Sequence, residues 1–248
     1  MIIALAGKGG VGKSSISSQL ILRLSKKGLV LAVDADPNTN LPDKLGIPAG
    51  ITIGEIKNRA VTDPKSIPDG MSKHEYMALE VRKAMHEHDN IDMLVMGRPE
   101  GEGCYCFMNN VLRECFAGMI KNYKFTVVDN EAGMEHLSRK ILPRTDIMLF
   151  VSDPTRIGIK TAARLASVAS EVGMEMGRKI LVINNLPGDI PPELSDESKA
   201  NGFEEIVSIK HDPLVYSAGL DGSPLRLPDD SELSKGVSSI VSMIQNES

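Results

Sequence analysis

The chain has 248 residues, 42% of them apolar and 25% charged, the balance of a globular protein rather than a disordered one. A net charge of −5, no tryptophan and 4% aromatics leave neither a basic footprint nor a stacking platform for nucleic acid. Three cysteines are too few for a secreted disulfide framework, and no apolar run nears the roughly 20 residues of a membrane span; the expectation is a cytoplasmic protein that binds no nucleic acid and no membrane.

The first apolar run, Ile2–Ala6, leads through a glycine-rich loop into a helical stretch over Ser14–Lys27, where Ile16, Leu20 and Leu24 share one stripe. A second strand, Leu29–Val33, ends at Asp34-Ala35-Asp36. Asn38–Asp69 holds Pro42, Pro48, Pro64 and Pro68 and reads as a long surface excursion. A helix is expected over Lys73–His88, a strand over Met93–Met96, and a helix over Asn109–Asn122. Strands follow at Phe125–Val128, Ile147–Val151 and Ile180–Ile183, with a helix over Ile159–Val172. Gly188–Asn201 reads as a polar loop or short helix, Ile206–Ile209 as a weaker strand, and Glu232–Gln245 as the last helix. Short, continuous apolar strands alternating with helices predict an α/β fold in one domain, 1–248. Its sheet is doubly wound and mostly parallel, with helices on both faces.

Gly7-Lys8-Gly9-Gly10-Val11-Gly12-Lys13-Ser14 fits G-x-x-x-x-G-K-[ST] between a predicted strand and a predicted helix. In that pattern the backbone N–H groups of Gly9, Gly10, Val11, Gly12, Lys13, Ser14 and Ser15 cradle phosphates. Lys13 reaches the β- and γ-phosphates, and the Ser14 hydroxyl ligates Mg²⁺. Asp34 and Asp36 end the second strand, as strand caps or as carboxylates facing the phosphates. Asp129 ends the strand at Phe125–Val128, in the position that supports Mg²⁺ through water, and the Gly133 N–H is a candidate donor to the γ-phosphate.

Gly101-Glu102-Gly103-Cys104-Tyr105-Cys106 is the second informative segment. Cysteines at i and i+2 of an extended stretch point to one side, so Cys104 and Cys106 supply half of a tetrahedral thiolate site, and a twofold axis would supply the rest. Two partly buried thiols in a reducing cell are the plainer alternative. Cys115, nine residues later, reads as a small buried hydrophobe. His86-Glu87-His88, placed on a helix, would point its imidazoles apart. His136 is a surface or switch residue. Gly236–Ser248 carries no Lys or Arg, which argues against an amphipathic membrane anchor.

The loop with its extra lysine, and the Asp34–Asn38 pattern, resemble the deviant P-loop of the MinD/ParA and nitrogenase iron protein family of dimeric ATPases. The resemblance implies an ATP-gated homodimer with slow hydrolysis, in which Lys8 crosses to the partner's phosphates and Asp36 orients the attacking water, beside Lys13. It implies that Asn184 or Asn185 reads adenine, with Asn184 first, and that Asp212 and Pro213 lie in the loop that walls the purine. The segments GKGGVGKSS, DADPNTNL, MGRPEGEGCYCFMNNVLR and VVDNEAGMEHLSR are similar to the CooC branch, the nickel-insertion ATPases of carbon monoxide dehydrogenase, and to the related AcsF group. That branch implies Ni²⁺ or Zn²⁺ held by Cys104 and Cys106 of both chains, and carbon monoxide dehydrogenase or acetyl-CoA synthase as the client. The rivals are an iron–sulfur redox ATPase like the nitrogenase iron protein and a positioning ATPase of the MinD/ParA type. The short cysteine spacing disfavours the first, and the acidic charge disfavours the second.

Overall fold

The computed structural model describes residues 1–63, 67–98, 106–131 and 144–245. The strands are β1 (Ile2–Gly7), β2 (Val30–Ala35), β3 (His86–His88), β4 (Ile91–Val95), β5 (Phe125–Asn130), β6 (Arg144–Ser152), β7 (Glu175–Leu186) and β8 (Glu205–Lys210). The helices are α1 (Lys13–Ser25), α2 (Leu41–Leu45), α3 (Ile53–Thr62), α4 (Lys73–Lys83), α5 (Cys106–Ile120), α6 (Arg156–Glu171), α7 (Pro192–Ala200), α8 (Pro213–Asp221) and α9 (Glu232–Gln245).

The strands form one eight-stranded sheet in the order β3-β4-β2-β5-β1-β6-β7-β8. Every pairing is parallel except β3 with β4. The reason lies in the strand sequences. Along β1, Ile3 and Leu5 face a core built with Ile16, Leu20 and Leu24 of α1 and Val237 and Ile240 of α9. Ala4 and Ala6 face the opposite core, with Ile56 of α3, Met77 of α4, Phe116 of α5 and Ile159 of α6. A strand covered on both faces needs apolar residues at every position, and the runs read from the sequence have them.

Three expectations need correction. Over the described residues 38–63, the chain is not a surface excursion. Leu41, Leu45, Ile47, Ile53 and Ile56 are all buried, and Pro42 sits in the first turn of α2, where its missing N–H costs nothing. The helix expected over Lys73–His88 stops at Lys83, and His86–His88 instead pairs antiparallel with β4. Asp89, with φ 50°, turns the chain back, and strand pairing satisfies backbone groups of a polar segment that has no apolar stripe to bury. Asp212 and Pro213, expected in a loop, instead start a helix, since Pro213 opens α8 and Asp212 caps it. Gly188–Asn201 resolves into the short helix α7. Among the described residues no helix is long and apolar enough to cross a membrane.

Candidate functional site

The C-terminal ends of the parallel strands gather the sequence motifs on one edge. β1 sits between β5 and β6. Strands on one side of it carry Asp34 and Asp129, and on the other side β7 carries Asn184 and β8 leads into His211. The chain reverses direction here, at the place where open α/β sheets form their crevice.

The glycine-rich loop turns through two left-handed residues, Gly10 (φ 79°) and Gly12 (φ 97°). Gly12 is required twice over: its φ disfavours a side chain, and a Cβ would lie 2.4 Å from Asn184 Nδ2. Lys13 folds back across the loop, donating from Nζ to the carbonyls of Gly7 and Lys8, each at 3.2 Å. Its burial lowers the ammonium's pKa, while Asp129, Asp36 and Glu131 pull it the other way. Ser14 and Ser15 follow on the first turn of α1, and Lys8 is exposed.

Asp129 and Asp36 attract this ammonium, and Asp34 stands beside Asp129. Asp34 and Asp129 are register partners on β2 and β5, and both are fully buried. Burial first, then the Asp129 charge, pushes Asp34 up to about 7, against two backbone hydrogen bonds from Leu41 and Asp36. Asp129 is pushed up to about 6 by burial, although the Ser14 and Ser17 hydroxyls and Lys13 favour its charge. Ser17 Oγ donates to Asp129 Oδ1 at 3.1 Å, whereas buried Oδ2 has no protein partner. Asp36 Oδ1 accepts from the backbone and side-chain nitrogens of Asn38, at 2.8 and 2.9 Å.

Two cavities meet across the loop, sharing Gly9, Gly10, Gly12 and Ser15. One, of about 460 Å³, is walled by Lys13, Ser14, Asp36 and Glu131, together with Lys44 of α2, which sequence reasoning did not single out. The other, of about 390 Å³, is walled by Lys8, Asn184, Asn185, Asp212, Val215 and Tyr216. Asn184 Nδ2 donates to the Val11 carbonyl at 2.8 Å, which fixes the amide's orientation and leaves Oδ1 as an acceptor. Asn185, left-handed at φ 64°, pairs its Oδ1 with His211 Nδ1 at 2.6 Å. Both Asp212 oxygens go to backbone N–H groups, of Leu214 and Leu233, so this carboxylate joins α8 to α9. Pro213 is the first residue of α8.

Cys104, Gly133 and His136 lie outside the described residues. Cys106 opens α5, and its side chain lies outside the description. Cys115 is half-buried, and burial raises its thiol pKa. His86 and His88 lie two apart on a strand, not on a helix, and so share a side. Among the described residues no group of three or more His, Cys, Asp or Glu side chains is arranged to hold a metal ion.

Residues 1–183 match the family model described as an AAA domain. An uncharacterised ATP-binding protein of Methanocaldococcus jannaschii is 38% identical over 251 residues, covering 100% of this chain and 99% of that one. The carbon monoxide dehydrogenase accessory protein CooC of Rhodospirillum rubrum is 29% identical over 241 residues, 90% of this chain and 88% of that one. Among solved structures, the septum site-determining protein MinD of Pyrococcus horikoshii, complexed with Mg-ADP, superposes with a TM-score of 0.71 at 19% identity. That match covers 99% of this chain and 96% of the other. At such identity the likeness is one of fold, the MinD/ParA-like arrangement of a P-loop NTPase.

Proposed function

The chain belongs to the AAA-domain family, and from that premise we propose a Mg²⁺-dependent ATPase that works as a nucleotide-gated homodimer and delivers nickel to carbon monoxide dehydrogenase or acetyl-CoA synthase. Asp129 Oδ2 carries the ATPase reading. It is a buried carboxylate oxygen without a protein partner, on a residue whose charge Ser14 and Lys13 favour, and those two line a cavity of about 460 Å³. A buried acceptor left unpaired is costly unless something else satisfies it. The Ser14 hydroxyl, and Asp129 through a water, would hold a triphosphate's Mg²⁺, and the ion would supply positive charge to the β- and γ-phosphates.

The chain's own residues do the rest. Backbone N–H groups from Gly9 to Ser15 bind phosphate oxygens, and Lys13 neutralises charge on the β- and γ-phosphates. Asp36 accepts a hydrogen bond from the attacking water through Oδ2, since Asn38 occupies Oδ1. The water oxygen bonds to the γ-phosphorus as the bond to the β-phosphate oxygen breaks, giving ADP and inorganic phosphate. Lys8 of a second copy adds its charge to the leaving oxygens only when the dimer closes. Asn184, with its N–H₂ held by Val11, offers Oδ1 to an amino group on the base, which suits adenine and rejects the carbonyl of guanine. Val215 and Tyr216 wall the purine.

Nickel is the cargo. The likeness to CooC of Rhodospirillum rubrum and the Cys104/Cys106 spacing support thiolate capture between two copies. Anaerobic Ni²⁺ titration tests it with nucleotide-free, ADP-loaded and ATP-analogue-loaded protein, and with a Cys104→Ser/Cys106→Ser variant. The expected result is one ion per two chains, with an affinity that depends on nucleotide and is lost in the variant. Binding that ignores both nucleotide and substitution, or no binding in any state, sinks the nickel reading and leaves the ATPase reading standing.

A further inference from the structure

Lys44 is a cation that no loop motif contains, yet it lines the same cavity as Lys13, Asp36 and Glu131. Its backbone is fixed from several directions. The Leu41 N–H that opens α2 donates to Asp34 Oδ2 at 3.0 Å, and Leu41 and Leu45 are buried in the core. The Lys44 carbonyl accepts from Leu225 N at 2.8 Å, and Leu225 O in turn accepts from Gln19 Nε2 of α1 at 2.7 Å. Arg226 Nη2 donates to the Leu45 carbonyl at 2.8 Å. The helix that follows the glycine-rich loop and the helix that carries Lys44 are thus tied through one segment.

The ammonium itself is not tied. Among the described residues it makes no ion pair and no hydrogen bond, although Asp43 is its neighbour in sequence. Burial lowers its pKa, and Asp129 is its strongest attraction, ahead of Asp43. A half-buried charge held without a partner on a cavity wall is poised for an anion that arrives there. The geometry gives that anion an address. The cavity is walled by the glycine-rich loop and Lys13, which follow β1, and by Asp36, Asn40 and Lys44, which follow β2. Phosphates seated on the loop N–H groups would share that cavity with the Lys44 ammonium.

We propose that Lys44 binds the terminal phosphate of a nucleoside triphosphate within the same chain, so that a lone protomer distinguishes triphosphate from diphosphate before any partner's lysine arrives. The inference rests on the ATPase reading above. It gives the terminal phosphate a second in-chain lysine besides Lys13.

The test is equilibrium binding of Mg-ADP and of a non-hydrolysable Mg-ATP analogue to wild-type, Lys44→Gln and Lys44→Arg protein. Lys44→Gln should weaken the analogue by about tenfold or more, the fold-change of one charge-assisted hydrogen bond, and ADP by less than about threefold. Lys44→Arg, which keeps the charge, should recover most of the analogue's affinity. Equal weakening of both nucleotides, or of neither, overturns the inference and assigns Lys44 to neutralising the aspartates. A wild-type protein that binds neither nucleotide overturns the ATPase reading and this inference with it.

Discussion

Asp129 and Asp34 are adjacent acids whose burial works against their charge, and stability depends on pH as a result. Each has an ordinary pKa of 3.8, raised in the folded chain to about 6 for Asp129 and about 7 for Asp34. Between those values the folded state holds protons that the unfolded chain has released, so stability falls as pH rises. Their contribution is fully present below about 3.8 and is lost as pH passes through 6 and then 7. Asp129→Asn removes the charge and leaves one unsatisfied amide where an unsatisfied carboxylate oxygen stood. The nucleotide-free variant should therefore be more stable than wild type at pH 8, by on the order of 1–3 kcal/mol, with the gap narrowing toward pH 5. Urea denaturation at the two pH values reads this directly, and a variant less stable than wild type at pH 8 contradicts it. The same change should abolish Mg²⁺-dependent hydrolysis, the trade of stability for function that such sites make. The chemistry of this cluster was legible in the sequence because each acid ends an apolar run. Lys44 was not, because its place at the cavity depends on how α2 docks, and no spacing rule links a lysine on a five-residue helix to a loop thirty residues earlier.

α3 begins with a capping box that the sequence carried openly. Thr52 Oγ1 accepts from Glu55 N at 3.1 Å, and Glu55 Oε2 accepts from Thr52 N at 2.7 Å. These backbone and side-chain hydrogen bonds from Thr52, in that order, hold the Glu55 carboxyl below its ordinary pKa. Thr52→Ala should cost about 1 kcal/mol of folding free energy, with the loss visible as a lower denaturation midpoint at unchanged slope. An unchanged midpoint would mean that tertiary packing of Ile53 and Ile56, not the cap, holds this helix. Ser72 and Glu75 repeat the box at α4. The sequence reading of 38–69 rested on its prolines and made no use of the T-x-x-E spacing, and that produced an excursion where the fold has two helices. The other misreading had less to go on. Helical propensity does not fall between Lys83 and His88, and only the neighbouring β4 edge, a tertiary feature, makes that segment a strand.

The parallel strands, by contrast, declared themselves, since burial on both faces makes each a continuous apolar run. The sheet order then sets what the whole molecule can do. It brings the glycine-rich loop to the reversal point and leaves the exposed Lys8 lining the cavity that Asn184 and Tyr216 also wall. Lys13 is buried and engaged with loop carbonyls, whereas Lys8 contributes only its carbonyl to its own loop. Its side chain is exposed and free to reach a second molecule. Next to it, α8 buries none of its residues, and Tyr216 and Leu220 are 66% and 70% exposed. An exposed charge beside an uncovered apolar helix suits a face that closes only when a second copy and a triphosphate are both present. Lys8→Ala should therefore bind the non-hydrolysable ATP analogue within about threefold of wild type, because it leaves the in-chain contacts whole. On the proposed reading wild type dimerises with the analogue, whereas Lys8→Ala should stay monomeric in light scattering, and its hydrolysis should fall by at least about a hundredfold, a conservative figure for a charge supplied in trans. If Lys8→Ala dimerises and hydrolyses like wild type, the phosphates are completed within one chain, and Lys13 with Lys44 would be the pair that completes them.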